Sequence, residues 1–154
     1  MSPTIDDITN ANLVALDVEV NDRWGAIDAL ADLLDADGRL TDQGAYVSAV
    51  RAREEETGGT AMEMGIAIPH AKSSGVSSAG VAFLRTREPI DFGDEKADLI
   101  FLIAAPEGEH NIHVTVLSQL ARRLVHERFR TALRSAGTPE EVVDLMRQEV
   151  KLKK

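Results

Sequence analysis

The stretch ADLIFLIAAP, residues 97–106, is apolar from Leu99 to Ile103 without a single polar alternation. A strand with one wet face alternates apolar and polar residues, so a short unbroken run like this predicts a strand covered on both faces. Helices must then lie above and below the sheet. Two more short apolar runs, GIAIPH (65–70) and GVAFLRT (80–86), read as further strands, the second followed by a turn-rich link around Pro89 and Gly93. NLVALDVEV (12–20) is partly alternating and β-branched, and predicts an earlier strand.

Between and after these runs the period changes to that of a helix. Trp24, Ile27, Leu30 and Leu34 recur at three- and four-residue steps, with Asn21 as N-cap and Gly38 as the stop. Tyr46, Val47 and Val50 mark a second helix capped by Thr41 and ending near Gly58-Gly59. Val114, Leu117, Leu120, Ala121 and Leu124 mark a third, and TPEEVVDLM opens a last one with Thr138 as N-cap, Pro139 at the first position and Glu141 closing a capping box. The expected fold is α/β, a mixed, mostly parallel β-sheet flanked by helices on both faces. At 154 residues it is expected to be one domain over 1–154, with its core at about 8–148.

The formal net charge of −9 would repel a phosphate backbone, so nucleic-acid binding is not expected. The charge is uneven. Asp6, Asp7, Asp17, Glu19, Asp22, Asp28, Asp32, Asp35 and Asp37 stand against Arg23 alone, whereas Arg122, Arg123, Arg128, Arg130 and Arg134 crowd a later stretch. Those arginines read either as solvated helix faces or as a dock for an acidic partner or a phosphate. With no cysteine there is no disulfide, thiolate metal site or cysteine nucleophile. No apolar segment approaches the length of a membrane span and the N-terminal segment lacks a signal-peptide pattern, so a cytoplasmic protein without direct membrane insertion is expected.

The candidate chemistry lies in the histidines. His126, in RRLVHERFR, reads as a surface residue. His110 and His113 stand three apart at the start of a helix, a spacing open to a metal, but without a supporting base pattern. His70 follows the strand GIAI almost directly, and Pro69 stiffens the chain before it. If that strand and 97–106 are parallel neighbours, His70 and His113 meet at one carboxyl end of the sheet, where open α/β folds bind ligands. A neutral imidazole is a nucleophile near neutral pH, and a second imidazole with helix-end N–H groups would hold phosphoryl oxygens. From spacing alone, His70 is either such a nucleophile or a satisfied structural histidine.

TAMEMGIAIPHAK (60–72), DLIFLIAAPEGEHNIHVTVLSQLARRL (98–124) and the closing TPEEVVDLM together resemble the enzyme IIA domain of the fructose and mannitol class of the bacterial phosphoenolpyruvate-dependent sugar phosphotransferase system. The resemblance runs from ITNANLVALDV to Met146. It implies that His70 is the phosphoacceptor, charged by the phosphocarrier HPr and discharged to a IIB component. It further implies that His113, heading HVTVLSQL, stabilises the phosphoryl group, with His110 as its rival. Arg53 matches the arginine ahead of the loop, with Arg51 competing, and Thr60 matches the loop threonine. The family loop often reads T-G-I-G-x-G, whereas Gly58-Gly59 here precede the threonine. No metal or organic cofactor is implied, and Lys72 either neutralises phosphoryl oxygens or is simply solvated. Without cysteine or membrane span the chain resembles a stand-alone IIA protein, because the fructose-type IIB is phosphorylated on cysteine. Competing readings are a nitrogen-type regulatory IIA, a metal-dependent hydrolase using His110 and His113, and an interaction domain with His70 inert.

Overall fold

The computed structural model describes residues 4–62, 64–93, 95–108 and 112–150. In chain order the elements are α1 (Ile5–Ile8), a 3₁₀ turn (Ala11–Leu13), β1 (Val14–Val18), α2 (Arg23–Ala36), α3 (Gln43–Thr57), β2 (Ala61–Met62), β3 (Ile66–Ala67), β4 (His70–Ser73), β5 (Gly80–Asp91), β6 (Lys96–Pro106), α4 (Ile112–Leu124), α5 (Glu127–Ser135) and α6 (Pro139–Glu149). The sheet runs β1-β5-β6-β3-β2, with β4 also on β6. Because β3 and β4 lie end to end along β6, six strands make a sheet five strands wide. Pairings β1/β5, β3/β6 and β4/β6 are parallel, while β2/β3 and β5/β6 are antiparallel. The sheet is therefore mixed, mostly parallel, as expected.

β6 is its spine. Leu99, Phe101 and Ile103 face a core shared with α1, α4, α5 and α6, and Ile100, Leu102 and Ala104 face a second core built on α2 and α3. Residues 99–103 are at most 1% exposed, so this strand is covered on both faces. The two faces are filled in alternation because successive side chains on a strand point oppositely. Across the first core, Phe83 and Phe101 meet with ring centres 4.7 Å apart.

Several boundaries differ from expectation. β5 does not stop at Thr86 but passes through Pro89 to Asp91, with a register shift between Arg85 and Ile90. A proline is tolerated where the ladder is already irregular. β1 is shorter than the alternating run, because residues 11–13 wind into the 3₁₀ turn under Asn10, whose side chain accepts from the Asn12 N–H. α2 and α3 are capped by Asp22 and Asp42, one residue after Asn21 and Thr41; each carboxylate accepts a first-turn N–H, from Gly25 and Ala45 respectively, at 3.0 Å. The charged stretch after Leu120 breaks into α4 and α5, with exposed His126 between them as N-cap. At α6, Thr138 accepts from Glu141 as expected, but the Glu141 carboxylate accepts from the Gly137 N–H rather than completing the box.

Two of the crowded arginines are structural ties rather than solvated faces. Arg134 makes two hydrogen bonds to Asp98, at 3.0 and 2.8 Å, and a third to the Met64 carbonyl. Arg130 donates to the Leu124 carbonyl, joining α5 to the end of α4. These contacts secure the β2–β3 turn and the opening of β6 from one helix.

Tyr46 is fully buried and donates its hydroxyl to the Ile103 carbonyl at 2.7 Å. Burial raises the phenol's pKa well above 10.0, so it donates across the physiological range. Tyr46→Phe keeps the ring and removes one buried hydrogen bond, and is expected to cost about 1–2 kcal/mol in urea unfolding. An unchanged unfolding midpoint would show that this bond contributes nothing net.

Candidate functional site

The strand that reaches His70 is interrupted rather than ended at Pro69. Proline has no N–H to give, which breaks the run between β3 and β4. Its carbonyl still accepts from the Ile103 N–H at 3.0 Å, and pairing resumes with His70 opposite Ile103. The expected parallel neighbourhood of this segment and residues 97–106 is therefore present. His70 sits at the start of a strand resumed on the sheet edge, not beyond a strand's end.

The His70 ring is pinned from below. Its Nδ1 lies 2.8 Å from the Ile68 carbonyl oxygen. A carbonyl oxygen only accepts, so Nδ1 carries the proton and Nε2 keeps the lone pair. His70 is half-buried, and Nε2 is the ring nitrogen left without the proton. In parallel register His70 points to the same face as Ile103, the face covered by α4.

His70, Ala71 and Lys72 share an open cleft with Ala49, Ala52, Arg53 and Glu56 of α3. Arg53 and Lys72 are exposed, and neither makes an ion pair among the described residues. Arg51 points elsewhere: it pairs with Asp28 at 3.2 Å and lies over the Trp24 ring, 5.2 Å from its centre. The cleft thus brings the His70 segment at the sheet edge together with two cations, Arg53 and Lys72, and one carboxylate, Glu56. Such a group suits an anionic electrophile met at the surface.

Thr60 lies behind the site. Its carbonyl accepts from the Ile68 N–H at 3.4 Å, its own N–H donates to Glu54 Oε1 at 3.3 Å, and its hydroxyl is buried without a hydrogen-bond partner among the described residues. Glu54 was hidden in RAREEE, which reads as a charged helical face. Yet Tyr46, Val50 and Glu54 follow at four-residue steps on the buried face of α3, and that periodicity is the signal that finds it.

α4 opens at Ile112, placing His113 in its first turn, while the His113 side chain, His110 and the preceding loop fall outside the described residues. Among the described residues no group of three or more His, Cys, Asp or Glu is placed to hold a metal ion. No helix among them is long and apolar enough to cross a membrane.

Residues 7–149 match the family model described as phosphoenolpyruvate-dependent sugar phosphotransferase system, EIIA 2. The chain is 38% identical over 149 residues to the fructose-specific EIIA component of Haloferax volcanii, covering 95% of this chain and 96% of that protein. It is 33% identical to the fructose-specific EIIABC component of Bacillus subtilis, where 96% of this chain corresponds to only 24% of the relative. Among solved structures, IIA mannitol from Escherichia coli superposes with a TM-score of 0.77 at 28% identity, covering 90% of this chain and 98% of that one. Nitrogen regulatory protein IIA-Ntr from Neisseria meningitidis gives 0.78, also at 28%, covering 92% and 97%. With the edge-strand histidine, its mixed sheet and a match along nearly its whole length, this chain belongs to the EIIA 2 family of the phosphoenolpyruvate-dependent sugar phosphotransferase system.

Proposed function

We propose that this chain is a phosphoryl relay whose acceptor is Nε2 of His70, charged by phospho-HPr and discharged to a IIB component that serves sugar uptake. The observation that carries the reading is the bond from Nδ1 to the Ile68 carbonyl, which leaves Nε2 as the one nucleophilic nitrogen of the ring. Nε2 attacks the donor's phosphorus in line; the donor's N–P bond breaks as the new one forms, and the donor imidazole leaves with its electron pair. The proton on Nδ1 stays in place. The ring then carries positive charge, which the Ile68 carbonyl stabilises, so the phosphoryl group remains poised to leave again.

In this reading Arg53 and Lys72, which share the cleft, neutralise the equatorial oxygens, and His113, in the first turn of α4, stabilises the phosphoryl group. Thr60 acts from behind, by holding Ile68. The scheme asks no metal or organic cofactor, and the relay works in the cytoplasm. Support for the IIB partner comes from the Escherichia coli mannitol IIA, solved in complex with phosphorylated IIB and superposing with a TM-score of 0.76 at 26% identity. We read residues 1–154 as one domain, with its core at about 8–148.

A regulatory reading has its own support in the equal likeness to the Neisseria nitrogen regulatory protein. The separating experiment charges the native chain with phosphoenolpyruvate, enzyme I and HPr, then adds a fructose-type IIB. Transfer of the acid-labile phosphoryl group to IIB is the expected result. A charged chain that discharges only to HPr, whatever IIB is offered, would put the regulatory reading in place of the relay.

A further inference from the structure

Among the described residues Glu54 is the one carboxylate that the core encloses completely, with its residue 0% exposed. Such burial is costly unless the group is held by hydrogen-bonding partners. Its ion pair with Arg23 is long, at 3.7 Å, and its Oε2 has no hydrogen-bond partner among the described residues. Its one hydrogen bond among the described residues is to the Thr60 N–H.

From that bond a ladder leads to the nucleophile. Glu54 Oε1 accepts from the Thr60 N–H, the Thr60 carbonyl accepts from the Ile68 N–H, and the Ile68 carbonyl accepts from His70 Nδ1–H. The segment carrying Thr60 is confined on its other side as well. Gly59, at φ +121°, and Gly93, at φ +97°, let two loops touch backbone to backbone; a side chain at Gly59 would strike the Phe92 carbonyl and one at Gly93 the Gly58 carbonyl. Arg23 lies over both glycines and is itself stacked on Trp24, 4.4 Å from the ring centre. Thr60 is thus seated between a fixed loop contact and a single buried acceptor.

We infer that Glu54 is a positioning residue for the phosphoryl-transfer histidine: by accepting from Thr60 it sets the height of Ile68, and so the orientation and tautomer of the His70 ring. This rests on the reading of His70 as the acceptor. What matters in this role is the reach of the acceptor atom, not its charge. Glu54→Gln keeps an oxygen at the same reach, whereas Glu54→Asp keeps the charge and withdraws it from Thr60 by one methylene.

The test compares native chain, E54Q and E54D by ¹⁵N NMR of the histidine ring and by the kinetics of phosphorylation from phospho-HPr. Expected is an E54D ring that moves from the Nδ1–H form toward a mixture of tautomers, with kcat down about tenfold and KM for HPr unchanged. E54Q stays within about threefold of native with native ring resonances. The reverse order, E54D native-like and E54Q impaired, overturns the inference in favour of a purely electrostatic role, and equal loss in both with an unmoved ring overturns it in favour of general destabilisation. A native chain that takes no phosphoryl group, while E54D still moves the ring, would overturn the relay reading and leave the ladder supported.

Discussion

His70→Ala and His70→Gln are both expected to take up no phosphoryl group from phospho-HPr, while unfolding within about 1 kcal/mol of the native chain. His70 is half-buried on an edge strand and its one ring hydrogen bond among the described residues is local, so little of the fold depends on it. All of the covalent chemistry does, because the remaining described groups of the cleft, Arg53, Glu56 and Lys72, cannot accept a phosphoryl group in a form that is readily passed on. Intact mass after charging, followed by mild acid, reads the result. The attachment atom is a second arm: ³¹P and ¹⁵N spectra are expected to place phosphorus on Nε2, and attachment at Nδ1 would contradict the ring geometry. Arg53→Ala is expected to slow charging by about ten- to a hundredfold without preventing it, since an exposed cation stabilises the transferring oxygens less than an enclosed donor does. Arg51→Ala, which removes a contact to Asp28 and Trp24 on α2, is expected to leave the rate unchanged.

The largest stability effect is expected at Arg85. Its side chain is buried in the sheet, where Nη1 donates to the carbonyls of Leu133, Arg134 and Ala136 and so closes the carboxyl end of α5, while Nε and Nη2 grip Asp17 at 3.1 Å each. Asp17 stands at φ +55° beside the register shift in β1, so this guanidinium joins an irregular edge strand to a helix end. Arg85→Met keeps much of the apolar stem but leaves the buried carbonyls without a donor, at a cost of about 3 kcal/mol. That corresponds to a fall in Tm of roughly 6–12 °C for a chain of this size. The same contact gives an acid sensitivity with a definite sign. The hydrogen bond from Arg85 holds the Asp17 carboxyl below its ordinary pKa of 3.8, against an opposing effect of desolvation, and Arg147 does the same for Asp6. A carboxyl depressed on folding stabilises above its unfolded pKa, and that contribution is lost as pH falls below 3.8 through the folded value. Asp17→Asn is expected to flatten the stability curve in that acid range and to leave its neutral-pH position lower; a parallel curve would show the pair to be silent.

The residue pattern by itself determined that β6 would be enclosed, since an apolar run without alternation cannot leave one face wet, and it placed helices on both sides for the same reason. It also determined which histidine to watch, because Pro69 and a strand-like run just before His70 constrain one backbone locally. What lay beyond local pattern was decided in three dimensions. The continuation of the strand after Pro69 depended on the Ile103 N–H across the ladder, and the passage of β5 through Pro89 on an irregular register with β6. The choice of Arg53 over Arg51 at the cleft turned on Asp28 and Trp24, residues of a different helix. Glu54 sat within reach of the sequence, four residues after Val50, but its place in a charged run concealed it until burial and the Thr60 N–H revealed its orientation. Periodicity reports which side of an element faces inward; which atoms meet there is set by long-range pairing, which no local spacing encodes.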